Sequence, residues 1–174
     1  YSESRGLLSA RLAIAKYCRE KGMSPYSTDA IYTGNGVSEM ILMSMQALLE
    51  NGDEILVPSP DYPLWTAAVR LAGGRAVHYL CDEAVGWTPD LQDMERKITR
   101  RTRGIVLINP NNPTGALYPA AVLSAIGTLA RRHGLILLSD EIYDRLVLDG
   151  STHVATAAAA PDVPVVCYNG LSKS

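Results

Sequence analysis

Lys173 stands just past an apolar run, Val165-Val166-Cys167, and a turn that begins Asn169-Gly170. Taken alone, a lysine near a chain end is a solvated surface amine. After a buried strand it lies at a crevice instead, because ligands of open parallel sheets bind beyond the carboxyl ends of the strands. A lysine so placed can attack an aldehyde, forming a Schiff base, and can serve as a general base. Asp140 directly follows a second apolar run, residues 135–139. It has two readings: an N-cap for the turn that Glu141-Ile142-Tyr143 begins, or a carboxylate that pairs with the cationic ring nitrogen of an electron-sink cofactor. Tyr143, three residues on, falls on the same side of a turn and could offer its phenol to the same ligand, although such a tyrosine is more often packing.

Two further segments have the composition of ligand loops. Gly34-Asn35-Gly36-Val37-Ser38 joins a strand pattern to a helix start, where free backbone N–H groups and the helix dipole favour a phosphate. A dinucleotide fingerprint does not fit, since Glu39 occupies the third glycine position and no acid ends the next apolar run, Ile55-Leu56-Val57-Pro58. Asn109-Pro110-Asn111-Asn112-Pro113-Thr114-Gly115 sets two prolines among three asparagines. It is either a tight loop or a stiff mount that holds an amide against a ligand.

The elements that must carry these residues alternate along the chain. Leu8, Leu12 and Ala15 recur at helical spacing with Arg11, Lys16, Arg19 and Glu20 between them, and Gly22 is a stop. A short strand is expected over residues 30–33, then a helix with Val37, Met40, Ile41, Met45 and Leu48 on one face, ended by Asn51-Gly52-Asp53. Strand and helix patterns then alternate over residues 54–57, 63–71, 75–80, 91–98, 104–109, 119–133, 135–139 and 164–168, with 157–160 read as no more than a short alanine run. The runs at 105–108 and 135–138 lack period-two alternation, as strands covered on both faces do. An α/β fold follows: a mostly parallel sheet with helices on both faces, in three layers.

Composition narrows the class. The 174 residues are 47% hydrophobic and 20% charged, which suits a single globular domain rather than a disordered or fibrous chain. A net charge of -2, with no basic cluster beyond Arg100, Arg101 and Arg103, gives nucleic acid little to hold. No apolar run is long enough to span a bilayer, so no membrane partner is expected. Cys18, Cys81 and Cys167 are odd in number and widely spaced, and read as buried thiols of a reducing cytoplasm. His78, His133 and His153 have no metal-ligand spacing, and no metal site is expected. Trp65 and Trp87 read as core or interface residues.

In combination, the residues resemble one family, the pyridoxal-phosphate aminotransferases of fold type I, class I/II, and within it the alanine (glutamate–pyruvate) group. The resemblance runs through residues 1–6, 34–39, 58–65, 109–115, 140–143 and 169–173, and so covers the whole chain. Asn-Pro-x-Asn-Pro-Thr-Gly, then Asp-Glu-x-Tyr, then Ser-Lys is a specific series. It implies that Lys173 is the catalytic residue, carrying the cofactor as a Schiff base and shuttling a proton between the substrate α-carbon and cofactor C4′. Asp140 would keep the pyridine nitrogen protonated. Tyr143 and Asn112 would hydrogen-bond the phenolic oxygen, with Asn112 also near the substrate carboxylate. Tyr62 would stack on the ring, and Gly36, Val37 and Ser38 would hold the phosphate. Tyr1 matches a tyrosine that in the family reaches the phosphate of the neighbouring subunit, which implies a homodimer.

The implied substrates are an L-amino acid and a 2-oxo acid, and the expected cofactor is pyridoxal 5'-phosphate. The pattern departs at Gly170, where many members carry a phosphate-binding serine. In the family the phosphate-binding arginine lies beyond the lysine, and the arginine for the substrate carboxylate lies in a C-terminal small domain. Residues 1–174 are therefore expected to be part of the large cofactor domain, with weak or no transamination of their own. Two other readings share the resemblance: a fold type I lyase, decarboxylase or synthase, and the aminotransferase-like effector domain of a transcription regulator. A carboxylate-binding segment would separate the first, and a DNA-binding region upstream the second.

Overall fold

A computed structural model describes residues 3–23 and 27–173. In chain order, α1 (Leu8–Glu20) is followed by a short 3-10 turn (Thr28–Ala30) and α2 (Val37–Leu48). Alternation then begins: β1 (Glu54–Ser59), α3 (Pro63–Leu71), β2 (Arg75–Asp82), β3 (Thr88–Pro89), α4 (Leu91–Lys97), β4 (Thr102–Ile108), α5 (Ala120–His133), β5 (Ile136–Asp140), α6 (Thr156–Ala159) and β6 (Val165–Tyr168). The strands form one sheet in the order β3-β2-β1-β4-β5-β6. Only β3 runs antiparallel.

Residue period explains the two cores. Along β4, Ile105 and Leu107 face one side, and Val106 and Ile108 the other. The first pair packs with Leu56, Tyr79, Met94, Leu123, Ile126 and Leu137 beneath α4 and α5. The second packs with Ile41, Met45, Val57, Trp65, Val69 and Leu138 beneath α2 and α3. Every one of these side chains is buried, so the sheet is covered on both faces and the three-layer α/β expectation holds. Chain order runs outward from β1 to β2 and then returns to β4 on its other side. A crevice therefore opens where β1 and β4 diverge, at the carboxyl edge of the sheet.

Four expectations are corrected. Residues 30–33 form no strand: the 3-10 turn takes Ala30, and Thr33 N donates instead to Arg5 O at 3.0 Å. With its donor turned to a loop carbonyl, that segment joins no ladder. In α1 the expected apolar face is partly reversed. Ala15 is buried, but Leu8 and Leu12 are about half exposed while Arg11 is only 2% exposed. The Arg11 guanidinium donates to Thr28 O at 2.9 Å and Gly6 O at 3.2 Å and pairs with Glu3, so the turn over residues 3–6 and the 3-10 turn both close around it. The alanine run is mostly helical, as α6, and docks on α5. Among the thiols, Cys81 is buried, but Cys18 and Cys167 are only partly so.

Gly127 is the reason α5 and α6 approach so closely. A Cβ built there would lie 2.5 Å from Ala160 Cβ, a contact that side chains essentially never make. Gly127→Ala is expected to lose about 1 kcal/mol, the overpacking cost less the gain in helix propensity. Adding Ala160→Gly should recover most of it in urea denaturation. A single variant as stable as the parent would mean that the two helices separate freely.

Candidate active site

Because β1, β4, β5 and β6 are parallel, their carboxyl ends share one edge, and every candidate except Tyr1 comes from that edge or from the start of α2. Tyr1 lies outside the described residues. Asp140, the last residue of β5, is 4% exposed and faces the α2–α3 side of the sheet. Trp65 Nε1, on α3, donates to its Oδ2 at 3.1 Å, and Ile142 N donates to its Oδ1 at 3.3 Å. The second bond gives Asp140 the turn-capping role, and it leaves the carboxylate still aimed into the crevice. Burial pushes the Asp140 carboxyl above its ordinary value, and the bonds from Trp65 and Ile142 offset only part of that. A buried carboxylate with no cation among its partners is a ready counter-ion for a cationic ligand group.

Trp65 is held in turn by Tyr168 of β6, whose ring meets it edge-on with centroids 5.3 Å apart. Sequence reasoning assigned Trp65 to the core. It is fully buried, and it is also the indole that orients Asp140. No spacing rule links residues 65 and 140, so only the packing of α3 against the sheet reveals that pair. Tyr62, three residues earlier at the N-cap of α3, is 43% exposed at the mouth of the same crevice.

The loop after β4 divides its asparagines between two tasks. Asn111 Oδ1 accepts from Thr114 N at 3.2 Å and Thr114 Oγ1 at 2.9 Å, which closes the turn. Asn109 is fully buried and its Oδ1 accepts from Tyr118 N at 2.9 Å. Asn112 is left half-buried, and its Nδ2 lies 3.4 Å from Tyr143 Oη. Two residues 31 apart in the chain thus present an amide and a phenol side by side.

Gly36 starts α2 with φ 89°, a left-handed conformation that favours glycine, and a Cβ there would meet nothing within 4 Å. The first-turn N–H groups of Val37 and Ser38 have no acceptor inside the helix. Glu39 folds back to accept from Asn35 N at 2.6 Å, which fixes the entering loop. Gly170 lies against this helix start, since a Cβ on it would sit 3.2 Å from Ile142 Cδ1 and 3.8 Å from Val37 Cγ2. Lys173 follows in an exposed 3-10 turn, Leu171–Lys173. The structure therefore pairs Asn112 with Tyr143, in the turn that Asp140 begins, and brings Gly170 against the α2 start.

A half-open cavity of about 740 Å³ lies at the opposite edge of the sheet between Ile55, Ile136, Leu138, Arg103 and Arg132. It includes none of the candidate residues. Among the described residues no cluster could hold a metal ion, and no helix is long and apolar enough to cross a membrane.

Residues 1–174 match the sequence profile of the family described as aminotransferase class I and II. The alanine aminotransferase of Mycobacterium tuberculosis is 55% identical over 175 residues, which span 100% of this chain and 41% of that protein. The glutamate-pyruvate aminotransferase AlaA of Escherichia coli is 56% identical over 174 residues, or 100% of this chain and 43% of that one. Among solved structures, an aminotransferase from Escherichia coli superposes with a TM-score of 0.97 at 57% identity, over 99% of this chain and 43% of the other. The alanine aminotransferase of Pyrococcus furiosus superposes with a TM-score of 0.95 at 41% identity, over 99% and 44%. The chain spans less than half the length of these relatives. It belongs to the class I and II aminotransferases.

Proposed function

We propose that residues 1–174 form part of the cofactor-binding domain of an aminotransferase. It takes pyridoxal 5'-phosphate and moves an amino group between an L-amino acid and a 2-oxo acid, alanine and glutamate being the first candidates. One observation carries the reading: a buried carboxylate, Asp140, ends β5 at the carboxyl edge of the sheet and begins the turn whose Tyr143 meets Asn112 of the loop after β4. The donor set fits the cofactor chemically. An anion-seeking helix start, an amide beside a phenol and a desolvated carboxylate match a phosphate, a phenolate and a pyridinium in turn. When bound, pyridoxal phosphate supplies an electron sink for charge developing at the substrate α-carbon.

The chain's own residues do the rest. Asp140 holds a proton at the ring nitrogen, because a carboxylate kept from water gains more by pairing with a cation than a solvated one does. Tyr143 and Asn112 donate to the phenolic oxygen, and Asn112 also reaches the substrate carboxylate. Tyr62 stacks on the ring. Backbone donors of Gly36, Val37 and Ser38 take the phosphate. Lys173 Nζ anchors the cofactor and moves the proton of the substrate α-carbon. Tyr1 reaches the phosphate of the neighbouring subunit in a homodimer, and the setting is cytoplasmic.

Lys173→Ala tests the anchor. With pyridoxal phosphate added, the parent protein should develop a visible absorbance band that survives dialysis, and the variant should not; equal spectra would overturn the reading. Asp140→Asn tests the counter-ion. Since burial raises the Asp140 pKa, the folded state holds more protons than the unfolded one between the ordinary carboxylate range and the raised value. Stability from this group therefore falls as pH rises through that window. Asp140→Asn should make the cofactor-free protein more stable by about 1 kcal/mol above the window and leave it little changed below. The same variant should weaken pyridoxal phosphate binding. Thermal unfolding across pH, with cofactor titration, checks both, and a parent more stable than the variant at neutral pH would count against the assignment.

A further inference from the structure

Directly behind Asp140, on the other face of the sheet, lies a buried polar cluster that the proposed reaction does not use. Glu141 is 4% exposed, and its Oε1 accepts from Ser139 Oγ and from Thr156 N, each at 2.9 Å. Ser139 Oγ and Thr156 Oγ1 are 2.7 Å apart. His153 is equally enclosed at 7% exposure, and its Nε2 stands 3.2 Å from Asn109 O and 3.7 Å from Glu141 Oε2. Both neighbours of Nε2 are acceptors, so that nitrogen carries the proton. His153 Nδ1 is buried without a hydrogen-bond partner among the described residues. A proton there would be an orphaned buried donor, which costs about 1–3 kcal/mol, so the geometry selects the neutral Nε2–H ring.

We propose that His153 is a positioning residue. Its Nε2–H donates to the Asn109 carbonyl, and its own segment is tied to Glu141 through the Thr156 N–H; together they hold the loop that carries Asn112 at one spacing from the turn that carries Asp140 and Tyr143. Asn109 has no other freedom to shift: its N donates to Asp140 O at 2.9 Å, its Oδ1 accepts from Tyr118 N, and its Nδ2 reaches Val154 O at 3.5 Å. The ring adds the one remaining tie, on the carbonyl three residues before Asn112. The Asn112–Tyr143 contact is long at 3.4 Å, so a slip of a few tenths of an ångström would break it. Nothing in the sequence pairs residue 153 with residue 109 or 141; the cluster exists only because the loop before α6 folds back beneath β5.

The inference rests on the reading of Asp140, Asn112 and Tyr143 proposed above, and its test has arms that do not need the cofactor. Long-range proton–nitrogen correlation spectra of the cofactor-free protein should find His153 neutral with the proton on Nε2; an Nδ1–H ring or an imidazolium at neutral pH would overturn the proposal. His153→Gln keeps a donor near the Nε2 position, and His153→Leu removes it. The side-chain amide resonances of Asn112 should move in His153→Leu and return toward the parent in His153→Gln. Pyridoxal phosphate affinity, read by fluorescence titration, should fall about tenfold in the leucine variant and within about threefold in the glutamine variant. If both variants lose affinity equally, in proportion to a common drop in unfolding temperature, or if neither moves Asn112, His153 is only structural. A parent that binds no pyridoxal phosphate would count against the proposed function, while the tautomer and the Asn112 resonances would still judge His153.

Discussion

Asp140 ends a buried strand with its carboxylate shielded from water, and the cost of keeping that charge desolvated organises the edge of the sheet around it. An indole and a backbone N–H are its partners, and neither carries charge. They orient the group without neutralising it. Trp65 can do this only because Tyr168 braces it from β6, and α3 can deliver Trp65 only because β1 and β5 are parallel and end at the same edge. A carboxylate paired with arginine or lysine would be more stable and less useful, since its attraction for a ligand cation would already be spent.

Two adjacent acids in the same turn illustrate how much a strand's period decides. Asp140 and Glu141 differ by one methylene, yet they sit on opposite faces of the sheet. The first meets an indole, a tyrosine ring and the crevice; the second meets two hydroxyls, a backbone N–H and a histidine. Burial pushes both above their ordinary values, but their partners lie on opposite sides of the sheet. The Asp-Glu pair thus combines a chemical group with the support that fixes it.

The loop after β4 is divided in a similar way. Of its three asparagines, two are consumed by their own backbone surroundings and one remains for a neighbour. A loop that must hold one amide steady at an open edge uses its other polar side chains to close itself, because water would otherwise compete for the same bonds. Membership of the class I and II aminotransferases fits this division of labour, in which a rigid parallel scaffold carries the chemistry on strand-end loops.

The α/β class, all eight of the helix and strand positions expected from residue 54 onward to within a residue or two, and the carboxyl edge of the sheet were legible in the chain, because apolar runs and their spacing report burial directly. So were the types of residue the site uses, since Lys173, Asp140, Tyr143 and Asn112 follow strands in a recognisable series. Local pattern could not say which residues meet. Leu8 and Leu12 have the spacing of a buried face, yet Arg11 takes the interior because two turns converge on its guanidinium. Residues 30–33 have strand composition but no ladder to join. Trp65 with Asp140, Asn112 with Tyr143, and His153 with Asn109 are contacts across 75, 31 and 44 residues. The sequence by itself determined most of the elements from residue 54 onward and which chemistry is available. Tertiary structure alone decided which side chains share a face, because hydrogen bonds and desolvation depend on distances that chain spacing does not encode.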